Sequence, residues 1–266
     1  MPGADRCRVV RWGDPLAREI FIDRFSSREH NLLAARATFT PLFEDYLEHT
    51  RRWVGEPDGL VWTMMRQGLA AAALYLTCRP NDEQTAWTFN FPEPPLNLFI
   101  TTDAGTGCVV GRFFDRHIQS TEHNRLFVQT ARRIGEPHLS VIEVRGFDLL
   151  LMLERYYAQS EQATARFFEG EGDEFVMLMA LPGIDEAWLR GLSREEGLQL
   201  VRDLAPRPIE RRTVRFGCTC NDARIVEIMR GMFSDRLDEL FAGEPKVEVQ
   251  CPRCGRGYGI ERRDLT

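Results

Sequence analysis

The sequence has no apolar run long enough to cross a bilayer. Its longest, around Leu69 to Leu76, falls far short of the ~20 residues a spanning helix needs. Nor does it carry an excess of positive charge: 34 lysines and arginines stand against 40 aspartates and glutamates, a formal net charge of -6. A polyanionic partner such as nucleic acid is therefore disfavoured. The opening Met1-Pro2-Gly3-Ala4-Asp5-Arg6 lacks the basic start, apolar stretch and small-residue cleavage site of a secretory leader, so a cytoplasmic chain without membrane association is expected. There is no internal repeat, nucleophile elbow, P-loop or dinucleotide fingerprint, and no enzyme is expected.

What is present is an ordinary globular composition, 43% hydrophobic and 28% charged, over 266 residues. That length suits one sizeable core and a small appended module. Seven cysteines in a reducing compartment favour metal or redox chemistry over a disulfide framework.

Four of the seven form two close pairs, Cys218-Thr219-Cys220 and Cys251-Pro252-Arg253-Cys254, separated by 30 residues. Two such pairs can offer four thiolates to one tetrahedral Zn2+, and four sulfur ligands leave no open position for catalysis. The single-residue spacer of the first pair is unusual for a ribbon-type site. Under oxidation each close pair can bridge within itself, but such bridges close tiny loops and cannot tie the two halves together as a metal does.

Taken in order, residues 7–12 read as a strand, and Gly13-Asp14-Pro15 turns into a helix carrying Leu16, Ile20 and Phe21. Helical spacing of Leu33, Ala37, Leu42, Phe43, Tyr46 and Leu47 predicts a helix from 31 to 53 with a break or kink at Pro41. A buried helix is expected over 58–77. Strands follow at 85–91, 96–101, 108–113, 126–130, 140–144, 165–168 and 175–181, interrupted by a helix over 147–159. Asp103-Ala104-Gly105-Thr106-Gly107 reads as a hairpin turn, and so does the acidic stretch 169–174.

The fold class is thus α+β: a mixed helix/sheet core over 1–182, a helical connector over 183–214, and a small C-terminal zinc-binding domain over 215–266. Asn221 or Asp222 should cap one helix of that domain and Ser234 or Asp235 a second, ended by Gly243, before a strand at 246–250 delivers Cys251. Gly255 should allow a tight turn that brings N–H groups to the sulfurs. Cys7, Cys78 and Cys108 have no close cysteine in sequence and read as small core residues; His117 and His123 read as surface histidines.

The blocks Phe216-Gly217-Cys218-Thr219-Cys220, Cys251-Pro252-Arg253-Cys254-Gly255 with Tyr258, and 153–162 resemble the redox-regulated 33-kDa heat-shock chaperone family. The first sixty residues match it weakly, and a Gly-Asp-Gly-Pro turn common there is replaced around Phe91-Pro92-Glu93-Pro94-Pro95. The resemblance implies an ATP-independent holdase held inactive by Zn2+ on Cys218, Cys220, Cys251 and Cys254. Oxidation would pair Cys218 with Cys220 and Cys251 with Cys254, release the metal and unfold the connector, commonly with dimerisation. Unfolding client proteins would be the partners. Trp188, Leu189, Leu192, Leu198 and Val201 of the connector are the candidate client-binding residues, being apolar and exposed once the connector opens. The alternative is a zinc-ribbon nucleic-acid adaptor using Arg211, Arg212, Arg215, Arg253, Arg256, Arg262 and Arg263.

Overall fold

From Glu19 onwards buried and exposed side chains alternate, and this stretch is a strand, β1 (Glu19–Ser27), which folds back on β2 (Leu32–Thr38). The computed structural model describes residues 18–116, 118, 121–205 and 208–265. The strand and turn expected at 7–15 lie outside them.

Two expected helices are corrected here. Ile20 and Phe21 sit on opposite faces of β1, and residues 32–38 form β2 instead of a helix. The cause is burial on both faces of β2: Ala35 and Ala37 join the main core while Leu32 and Ala34 join a second one behind the sheet. Alanine favours helix when sequence alone decides, and double burial removes the polar positions that would reveal a strand. Helix α1 (Thr40–Trp53) starts only after β2. Pro41 lies in its first turn, where a missing N–H costs nothing, so it opens the helix and does not kink it.

Helix α2 (Gly59–Thr77) is capped by the Asp58 side chain, which accepts from the Val61 N–H at 2.8 Å. Strands β3 (Glu83–Phe91), β4 (Leu96–Asp103), β5 (Cys108–Phe114), β6 (Arg125–Arg132) and β7 (His138–Glu143) follow close to their expected positions. Helix α3 (Leu149–Tyr156) runs into one wide turn of π-helix, Tyr157–Glu161, ahead of β8 (Ala165–Glu169) and β9 (Glu174–Ala180). Two short helices, α4 (Glu186–Gly191) and α5 (Arg194–Leu204), then lead to β10 (Glu210–Phe216).

These strands form one ten-stranded sheet in the order β7-β6-β3-β4-β5-β10-β1-β2-β9-β8. The position of β10 was not expected, because its residues were read as the end of a helical connector. Its Val214 and Phe216 are buried at alternate positions, and it fills the gap between β5 and β1. It runs antiparallel to β1 over six pairs, Glu19↔Arg215 to Arg24↔Glu210, but meets β5 in parallel at only two, Arg215↔Cys108 and Phe216↔Val109.

Helices α1, α2 and α3 cover one face of the sheet, and α2 is buried along nearly all its length. No helix among the described residues is long and apolar enough to cross a membrane. On the other face α4 and α5 cover β1, β2, β8 and β9, where Leu189, Leu192, Leu198 and Val201 meet Phe25, Leu32, Ala34, Phe168, Val176 and Leu178.

One charged group inside the fold makes a sharp stability test. The Glu83 carboxylate is wholly buried and accepts from Arg79 and from Arg132 Nε and Nη2, the latter two at 3.2 and 3.1 Å. Truncation takes the carboxylate from both guanidinium groups, although Arg132 is half exposed and Arg79 keeps Glu161 at 3.4 Å. Glu83→Ala should therefore cost about 3 kcal/mol, the low end for a broken buried pair, read as a lower urea midpoint at unchanged slope.

Beyond the sheet lies a small C-terminal module: α6 (Asp222–Phe233), α7 (Leu237–Phe241), the hairpin of β11 (Lys246–Gln250) and β12 (Gly257–Glu261), and α8 (Arg262–Leu265). The architecture is the mixed helix and sheet class expected.

Candidate metal centre

Two elements of different origin deliver the four cysteines. β10 ends with the ring of Phe216 edge-on to Tyr46, and the next N–H, of Gly217, donates to the Val109 carbonyl at 2.9 Å. Cys218 is thus placed at the end of the large sheet. Cys220 directly precedes Asn221, whose side chain caps α6 by accepting from the Arg224 N–H at 2.9 Å. The second pair sits in the turn between β11 and β12. Gly255 takes the left-handed conformation expected of it, φ +78°, but its N–H donates to the Cys251 carbonyl at 2.8 Å, not to a sulfur. The Cys251 N–H donates in turn to the Arg256 carbonyl at 2.8 Å.

All four sulfurs are buried and lie within 4.8 Å of one another. Cys218 Sγ is 3.9 Å from Cys251 Sγ, and Cys220 Sγ is 3.5 Å from Cys254 Sγ. A regular tetrahedron with metal–sulfur bonds of 2.3 Å has edges of about 3.8 Å, so the donor set fits one Zn2+ in geometry and in chemistry. The crowding also divides the thiols. Hydrogen bonding with Cys218 holds both Cys251 and Cys220 below the ordinary thiol range, while hydrogen bonding with Cys220 pushes Cys218 up and that with Cys218 pushes Cys254 up. Zn2+ held by Cys218, Cys220, Cys251 and Cys254 would supply the positive charge that these shared protons now provide. Tyr258, on β12, donates its hydroxyl to Cys220 Sγ at 3.0 Å, and burial pushes its phenol above the ordinary range, keeping it a donor.

Residues outside the module complete the site's surroundings, and sequence reasoning missed them. His49 on α1 places Nε2 at 2.8 Å from the Cys254 carbonyl; a carbonyl only accepts, so Nε2 carries the proton. Burial lowers the His49 pKa and keeps the ring neutral. Arg112 on β5 donates to the Cys251 carbonyl at 3.2 Å and to Gln250 Oε1 at 2.7 Å. Both are separated from the cysteines by more than a hundred residues. No spacing pattern could have flagged them.

The connector residues singled out as client-binding candidates are gathered on one patch of the sheet. Leu189 and Val201 are wholly buried, Leu192 and Leu198 nearly so, and Trp188 stacks on His30 with ring centroids 4.7 Å apart. Arg166 on β8 donates to the carbonyls of Leu189 and Arg190 at 3.1 and 2.5 Å, fastening the end of α4.

Other candidates have structural surroundings. The acidic stretch 169–174 turns between β8 and β9, with Glu169 and Asp173 paired to Arg66 at 3.1 and 2.6 Å and Glu174 to Arg202 at 3.1 Å. Among the arginines of the adaptor reading, Arg211 pairs with Asp23, Arg212 with Glu210, Arg215 with Glu19, Arg262 with Asp238 and Arg263 with Glu261. Arg256 lies over the rings of Trp53 and Tyr258. Their charge is largely spent on carboxylates of the same chain. Cys78 is half-buried and Cys108 buried at the start of β5, whereas Cys7 and His117 lie outside the described residues; His123 is exposed.

Comparison with known proteins adds a family. Residues 68–261 match the family model described as Hsp33 protein. The 33 kDa chaperonin of Neisseria meningitidis serogroup A is 25% identical over 163 residues, 53% of this chain and 54% of that protein. Its counterpart from Bacillus cereus is 28% identical over 214 residues, 65% of this chain and 74% of that one. The chain thus spans about half the length of the first of these curated relatives. Among solved structures, the 33 kDa chaperonin of Thermotoga maritima superimposes with a TM-score of 0.70 at 15% identity, covering 92% of this chain and 96% of that one.

Proposed function

This chain belongs to the Hsp33 family, and we propose that it is an ATP-independent holdase whose client surface is covered while a Zn2+ sits on Cys218, Cys220, Cys251 and Cys254 and uncovered when those thiolates are oxidised. One observation carries the reading: the four-sulfur cluster and the buried stripe of the connector hang on the two ends of a single strand, β10. The functional units proposed are a core over 1–182, a connector over 183–214 and a switch over 215–266, with β10 bridging connector and switch inside the core sheet. Unfolding polypeptides are the partners, the cytoplasm is the location, and the oxidised form is a dimer.

When bound, the metal ties 218–220 to 251–254 and neutralises their thiolates. The cysteines themselves supply the redox chemistry. One thiolate of a pair attacks a peroxide oxygen, the O–O bond breaks, and a sulfenic acid forms with loss of hydroxide. Its partner thiolate then displaces the second hydroxide to close the S–S bond, so each pair passes two electrons to one peroxide. Neither local bridge joins the two halves of the module. Without that tie the end of β10, held to β5 by two register pairs and by the Gly217 N–H bond to the Val109 carbonyl, loses its anchor beyond Gly217. Fraying of β10 then reaches the connector and exposes Leu189, Leu192, Leu198 and Val201 beside Trp188.

The test is light scattering from a chemically denatured client diluted into the reduced, zinc-loaded protein or the peroxide-treated protein. Suppression by the oxidised form alone is expected. Equal suppression by both removes the switch, and suppression by neither removes the holdase.

A further inference from the structure

The Cys251–Cys254 turn is gripped from outside its own module, at both ends, by the core. At one end Arg112 donates through one nitrogen to the Cys251 carbonyl at 3.2 Å and through the other to the preceding Gln250 side chain at 2.7 Å. At the other end the His49 Nε2–H donates to the Cys254 carbonyl at 2.8 Å. The His49 ring is itself set by Phe216, whose centroid is 5.5 Å away. Shape repeats the message. A Cβ at Gly255 would lie 2.6 Å from Val54 Cγ2, and one at Gly257 would lie 3.6 Å from the Trp53 ring, so the turn is seated directly against the end of α1.

The first pair is held differently. Around Cys218 and Cys220 the side-chain bonds are those of the module itself: Arg224 reaches Thr219 Oγ1 at 3.1 Å, and Tyr258 reaches Cys220.

Resting on the zinc-switch reading, we infer that His49 and Arg112 are positioning residues of the metal centre, a clasp by which the core holds the Cys251–Cys254 turn in its metal-binding shape and resists its oxidation. The reason is geometric. Sulfurs sharing one zinc stand about 3.8 Å apart, whereas a disulfide needs about 2.05 Å and a specific dihedral. Closing the bridge requires the four-residue turn to change its backbone. Its two end carbonyls are the groups the core has pinned. Oxidation therefore has to break core contacts as well as metal bonds, which makes the core a direct determinant of the oxidant threshold, in addition to any route through the connector.

The experiment uses the full-length zinc-loaded protein with His49→Phe, which keeps a ring beside Phe216 but removes the donor, His49→Gln, which restores one, and Arg112→Met, which keeps the stem. Zinc affinity is measured by competition with a chromogenic chelator without oxidant. The rate of Cys251–Cys254 bridge formation under peroxide is followed by peptide mass mapping. Loss of outer contacts to metal ligands commonly changes affinity by 10- to 100-fold, so His49→Phe and Arg112→Met should each weaken zinc binding and speed bridging roughly tenfold, with His49→Gln close to wild type. Should one variant fail to fold, the other still decides. Rates and affinities within twofold of wild type in the folded variants, or a Gln variant as fast as the Phe variant, overturn the clasp while leaving the switch intact. A wild-type protein that holds no zinc, or releases none on oxidation, overturns the proposed function and the clasp with it.

Discussion

Replacing Cys254 by serine is expected to unfold residues 218–265 while leaving the ten-stranded sheet folded. The module has few apolar side chains to hold it: Ile225, Met229, Phe241, Tyr258, Ile260 and Leu265 are its buried members apart from the cysteines. Fully burying such a side chain is worth about 1.5–3 kcal/mol, against a backbone entropy cost of roughly 1–2 kcal/mol for every residue ordered. These side chains cannot order nearly fifty residues alone. A structural zinc contributes on the order of 10–16 kcal/mol to small modules of this kind, so on the proposed zinc reading loss of one of four ligands removes the dominant stabilising contribution. Hydrogen exchange should show lost protection throughout α6 and the β11–β12 hairpin, with β3 and β4 unchanged. Full protection of the hairpin in the serine variant would mean that the metal is not what folds it.

Gly197→Leu should give a protein that binds clients with its zinc still in place. Gly197 sits inside α5, and a Cβ there would lie 2.3 Å from Phe168 Cε2, within the patch where the connector meets the sheet. Phe168 is itself buried in that core, so its ring can retreat only by displacing packed neighbours. Overpacking of this sort costs typically 1–3 kcal/mol, and a leucine is larger than the methyl that already clashes. The sign is diagnostic. In an isolated helix Gly→Leu would be favourable by nearly 1 kcal/mol, roughly the helix-propensity gap, so any destabilisation must come from the docked state. The reduced variant should suppress client aggregation without oxidant and be cut by protease between 183 and 209, while retaining stoichiometric zinc. A zinc-loaded variant that stays inactive and protease-resistant would place the client surface elsewhere than beneath the connector.

The legibility of this chain in its sequence follows the physics of each part. The cysteine spacing was informative because a tetrahedral metal needs only local pairs and a loop to join them, and the four sulfurs do converge. Strands β3 to β9 were legible through alternating or β-branched and aromatic runs. β2 was not, because leucines and alanines on a strand buried on both faces imitate a helix; β1 alternates as a strand should, but Ile20 and Phe21 also suit the helix expected after Pro15. β10 was hidden by its charge: Glu210, Arg211, Arg212 and Arg215 look like a solvated linker, yet they pair with carboxylates and one another across the sheet. His49 and Arg112 were beyond sequence altogether, since each meets the cysteine cluster only after the sheet and α1 have brought distant segments together.

The most direct test of the account is a single peroxide titration in which zinc release and suppression of client aggregation are recorded on the same sample. The two curves should coincide, and both should reverse when reductant and zinc are restored. Client binding that rises while the metal stays bound, or complete zinc release with no gain in client binding, would contradict it.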